Sequence, residues 1–137
     1  MKPLAEFKVF PGDTPHYWAV MVFKTKHGMR KAFHKLNECP DTDDRFGAIV
    51  MPQTRLVFAD GSWQALPSLG YVLFAKTQLD TMTVVHEATH MAIEYLRQRS
   101  ALPKLRTQDD EELLAHAVGW CAAGLVNELY KCKVYKK

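Results

Sequence analysis

Apolar positions along the chain fall into short unbroken runs, which predict strands, and into stripes spaced three and four residues apart, which predict helices. Residues 17–23 (YWAVMVF) are aromatic and β-branched and follow a Pro11-Gly12-Asp13 turn signal, so they read as a buried strand. Met29, Ala32, Phe33 and Leu36 then share one helical face. Cys39-Pro40-Asp41-Thr42-Asp43-Asp44 ends that helix, because proline lacks an amide donor and Asx residues favour turns. Residues 48–51 and 55–59 are short strand candidates, the second closed by Asp60-Gly61. The run 71–75 (YVLFA) predicts another strand after Pro67-Ser68-Leu69-Gly70.

The second half is helical. Residues 80–99 carry Val84, Val85, Ala88, Met91, Ala92, Tyr95 and Leu96 as an apolar stripe, with Asp80 or Thr81 available as cap. A loop over 100–107 contains Pro103, and Asp109, Asp110, Glu111 and Glu112 then form the acidic first turn that a helix dipole favours. This last helix runs to about Tyr130 and leads into a lysine-rich tail. One α+β domain over 1–137 is expected, a small sheet packed on two long C-terminal helices, since 137 residues that are 47% hydrophobic bury one core and not two.

Chemistry enters in the first long helix, where His86-Glu87-Ala88-Thr89-His90 forms an H-E-x-x-H motif. Four-residue spacing places both imidazoles on one face, one turn apart, so two nitrogens can reach one ion. Zinc accepts neutral imidazole, and its catalytic sites use three protein ligands and leave one position for water. Glu87, next to the first ligand, has the reach of a general base for that water. Chance produces this pattern in a chain of such composition roughly 0.01 times, before a helical context is required. A carboxylate opening the neighbouring antiparallel helix could complete a His, His, Glu set; Glu112 and Glu111 both qualify, and helix capping is the plain alternative for either.

Over residues 73–126 the sequence resembles the gluzincin-type zincins, especially the short metallopeptidase-like proteins of phages and mobile elements. In that group a strand precedes the H-E-x-x-H helix, and the ligand glutamate opens a later helix in an E-x-x-A pattern, which Glu112-Leu113-Leu114-Ala115 matches. The resemblance implies a zincin-like minimal domain, zinc as cofactor on His86, His90 and Glu112, Glu87 as catalytic base, and a protein or peptide substrate. It also implies a host-cytoplasmic setting for a phage-type protein. Arg97, and no histidine, lies in the stretch up to Ser100 where the metzincin branch has its third ligand. Zincin peptidases commonly lay an extended substrate along an edge strand; residues 71–75 are either that edge or a covered interior strand, as their apolar character equally allows. His116, Tyr95 and Tyr130 are the candidates for stabilising an oxyanion, with Tyr95 more naturally core and Tyr130 surface.

Composition narrows the alternatives. Lys and Arg number 18 against 15 Asp and Glu, scattered along the chain, so no basic stripe argues for nucleic acid. No stretch has the roughly 18 apolar residues of a membrane span, and no N-terminal apolar run suggests a leader. Cys39, Cys121 and Cys132 are odd in number and lack a C-x-x-C pair, which fits reduced cytoplasmic thiols. A second metal site from His34 and Cys39 is conceivable but coincidental in form, and Trp18, Trp63 and Trp120 read as core or groove aromatics. Two further function classes stand beside hydrolysis: a zinc-stapled binding or regulatory module, and a protein that redirects a host partner on an inherited zincin scaffold.

Overall fold

The computed structural model describes residues 2–37, 47–53, 56–65, 67–99 and 104–134. The segment 38–46, with Cys39, and the loop core 100–103 lie outside them, so the turn over 39–44 and the His34–Cys39 pairing do as well. The fold is α+β. A four-stranded mixed sheet has the order β1 (Ala5–Val9), β2 (Tyr17–Phe23), β6 (Ser68–Ala75), β3 (Ala48–Pro52). β1 runs antiparallel to β2, β2 parallel to β6, and β3 antiparallel to β6. A separate hairpin pairs β4 (Leu56–Ala59) with β5 (Ser62–Ala65) across the Asp60-Gly61 turn, whose φ values of 51° and 78° suit those two residue types.

Helices cover both faces. α1 (Lys26–Asn37) sits on one, where Met29, Ala32, Phe33 and Leu36 meet Phe23, Met51, Leu73 and Ala75. α2 (Thr81–Gln98) and α3 (Gln108–Lys131) pack together on the other, burying Val84, Ala88, Met91, Leu96, Ala117, Cys121, Leu125 and Leu129 against Val20, Val22, Val72 and Phe74. Alternate residues of β2 and β6 therefore enter different cores, which is why both strands are apolar without a break.

This settles the alternative left open for residues 71–75. β6 is paired on both sides and is an interior strand; β3 is the edge strand beside α2. Gly70 makes the close β3–β6 approach possible, since at φ 141° any Cβ would run into the Met51 carbonyl. β1 and β5 were not expected. β1 is an edge whose Glu6 and Lys8 face solvent while Val9 is buried, so it has alternation and no apolar run. Of the tryptophans expected as core or groove aromatics, Trp18 is fully buried, Trp120 is exposed beside a hollow on α3, and Trp63 is exposed on the β4–β5 hairpin.

Candidate metal centre

α2 begins where Asp80 accepts a 2.7 Å hydrogen bond from the Thr83 amide, and that bond holds the Asp80 carboxyl below its ordinary range. From this start the stripe Val84, Ala88, Met91, Ala92 and Leu96 turns inward. The turns between then place His86 and His90 outward, with their Nε2 atoms 3.2 Å apart and their rings edge to face at 4.8 Å. Glu87 lies between the two directions and is 6% exposed, the sole buried charged residue among those described. Its Oε1 is 4.0 Å from His86 Nε2. Burial raises the Glu87 pKa above the ordinary carboxylate value, and His86 partly opposes the shift.

The triad opens into a groove between α2 and the β3 edge. One hollow of about 280 Å³ is lined by Ala48, Ile49, Val50, Pro52, His86, Glu87, His90 and Glu94. A second of similar size shares Ala48, His86 and Glu87 and extends toward Gln78 and Met82. Glu94 stands one turn beyond His90 and pairs with Arg97. Its place was visible in the sequence as the next member of the His86, His90 spacing, yet sequence reasoning passed over it. β3 carried no motif and could be found only from the sheet pairing.

Glu112 stands elsewhere. Its Oε2 lies 3.6 Å from His116 Nε2 with side chains 61% and 75% exposed, and both line a hollow on the outer face of α3. Glu112 precedes the fully buried Cys121 by nine residues, which is two and a half helical turns and hence the opposite side of α3. Among the described residues no three His, Cys, Asp or Glu side chains gather as a metal group. His86 and His90 are brought together as expected; Glu112 is not brought to them, and Glu111 is likewise exposed. Nor do the expected oxyanion groups line the groove: Tyr95 packs on the core, and His116 and Tyr130 belong to α3.

The histidine pair fits zinc as far as it goes. At Zn–N distances near 2.0–2.1 Å, two nitrogens of a tetrahedral site stand about 3.3 Å apart, close to the separation seen here. Compared with protein-family models, curated proteins and solved structures, the chain matches none. The likeness to gluzincins therefore rests on the residues themselves. No helix among the described residues is long and apolar enough to cross a membrane.

Proposed function

We propose that this chain is a zinc-dependent hydrolase of the zincin type that cleaves amide bonds in peptides or proteins. The observation that carries the proposal is the convergence of His86 Nε2 and His90 Nε2 to 3.2 Å beside a buried Glu87, at the mouth of a groove walled by a sheet edge. His86 and His90 hold the metal. When bound, zinc supplies a Lewis acid that polarises a carbonyl and acidifies water.

Glu87 does the proton work. Burial weakens its preference for the ionised form, so it accepts a proton from the attacking water more readily than an exposed carboxylate would, and it returns that proton to the leaving amine. β3 contributes the free edge of the sheet, whose amides and carbonyls can register an extended chain along the groove. Glu112 enters as third ligand on the E-x-x-A resemblance alone, and Glu94, which shares the histidines' hollow, is the competing carboxylate.

Elemental analysis of the purified protein, beside His86→Ala/His90→Ala, tests the site. Near-stoichiometric zinc lost in the double variant supports the proposal, and absence of zinc from the native protein refutes it. For the third ligand, at least a tenfold weaker zinc affinity in Glu112→Ala, with Glu111→Ala and Glu94→Gln unchanged, assigns Glu112. Loss in Glu94→Gln alone moves the ligand to α2.

One observation favours a non-catalytic reading, in which the chain acts by binding a partner: the separation of Glu112 from the histidines. Glu87→Gln discriminates, because it spares the ligands and removes the base. A biological effect that survives this substitution belongs to binding.

A further inference from the structure

α3 is unusual for a helix with one face on a core and the other in solvent. From Leu113 to Asn127 it contains no Asp, Glu, Lys or Arg, so its outward side lacks the charge that ordinarily covers a solvent face. Trp120 stands there 54% exposed. Beside it a hollow of about 390 Å³ is floored by Ala115, Gly119 and Ala123 and bounded toward the helix start by Glu112 and His116, and a Cβ added at Gly119 meets nothing. The face thus presents one large aromatic knob and, next to it, a notch of small residues.

The charges are concentrated at the two ends. Asp109, Asp110, Glu111 and Glu112 gather at the start of α3 and Glu128 and Lys131 at its end, and the midpoint of Gln108–Lys131 falls between Gly119 and Trp120. We infer that the outer face of α3 is a self-association surface, on which a second copy of this chain packs its own α3 antiparallel about a two-fold axis at Gly119 and Trp120. In that arrangement Trp120 of each copy fills the notch over Gly119 of the other, and Ala115 opposes Ala123. Asp109 meets Lys131. A two-fold contact must be complementary to itself, and a knob beside a notch at the centre of a charge-polar helix satisfies that condition. An aromatic centre depleted of charge, with charged groups at the rim, is also the usual composition of an interface. Lys131 Nζ already holds Glu128 at 3.2 Å, but an ammonium has two further donors to offer across the axis.

The full-length protein is tested by light scattering after gel filtration, from low micromolar to several hundred micromolar. A dimer is expected, with Trp120→Ala weakening it at least tenfold while circular dichroism, and melting at dilutions where both proteins are monomeric, stay unchanged. Asp109→Lys and Lys131→Glu should each weaken association several-fold, and the two reversals combined in one chain should restore it, since each acidic end then meets a basic one again. Gly119→Leu, which fills the notch that Trp120 of the second copy needs, should likewise weaken association at least tenfold. A native chain that stays monomeric throughout overturns the inference, as does a double reversal that associates no more tightly than either single one, since the acidic and basic ends then do not meet. A monomer that sediments with phosphatidylcholine–phosphatidylglycerol vesicles also overturns it and assigns the face to lipid.

Discussion

The two long helices each carry a histidine beside a carboxylate, and they differ in everything that gives such a pair chemistry. On α2, Glu87 is buried under His86, faces a walled groove, and has its pKa raised by the loss of water. On α3, Glu112 and His116 lie i, i+4 on an open surface, where solvent screens their interaction. Residue type alone does not separate them. What does is the turn of each helix that meets the core: Glu87 is one residue before the buried Ala88, whereas Glu112 is half a turn out of phase with Cys121.

The largest effect expected from this contrast is on metal. His86→Ala/His90→Ala should weaken zinc binding by more than the roughly 100-fold that loss of an outer-shell partner costs, while His116→Ala leaves it within about twofold. Isothermal titration measures both. Zinc lost equally from the two variants would erase the distinction between the helices.

Next comes the base. Glu87→Gln should reduce turnover of an amide substrate about 10²- to 10⁴-fold and keep zinc bound, the range that one positioned proton acceptor contributes. The same change should not harm the fold, because it replaces a desolvated carboxylate with a neutral amide of equal size. Unaltered turnover in a zinc-loaded Glu87→Gln protein would place the chemistry elsewhere.

The helix starts sharpen the contrast by pH. α2 is capped by an aspartate and α3 by Thr107, which accepts from the Asp110 amide and does not titrate. The Asp80 carboxyl is held below its ordinary value, so its contribution to stability is complete above pH ~4 and is lost as pH falls through the folded pKa. Melting of the native protein and Asp80→Ala should therefore differ at neutral pH and converge on acidification, whereas Thr107→Ala should cost about 0.5–2 kcal/mol at either pH. A constant gap for Asp80→Ala would mean that the cap does not act through its charge.

These helices were also the most legible part of the sequence. Periodicity, the Asp80 cap and the acidic turn at 109–112 placed both to within a few residues, because caps and stripes are local signals. The sheet was less so. Whether residues 71–75 form an edge depends on which strands pair with them, and that is decided by chain segments far away in sequence. The metal set split along the same line. His86 and His90 are fixed by one turn of one helix, but the partner carboxylate depends on which side of α3 faces inward, and α3 is apolar nearly all round. Leu113 and Trp120 are exposed while Ala117 and Leu125 are buried, so no stripe marks the inner face.

The smallest expected effect tests whether the outer face of α3 is open in solution. An exposed ion pair contributes about 0–1 kcal/mol and weakens with salt, so Glu112→Ala in the metal-free protein should change unfolding free energy by less than about 0.5 kcal/mol. Urea denaturation at low protein concentration measures this. If the cost instead grows with protein concentration, the pair is covered in solution by something that dilution removes. That dependence would come from the association of α3 with its copy, since loss of a monomer's own contact is the same at every concentration. A cost above about 1 kcal/mol that is independent of concentration would mean that Glu112 is held by its own chain, and the division drawn between the two helices would fail at α3.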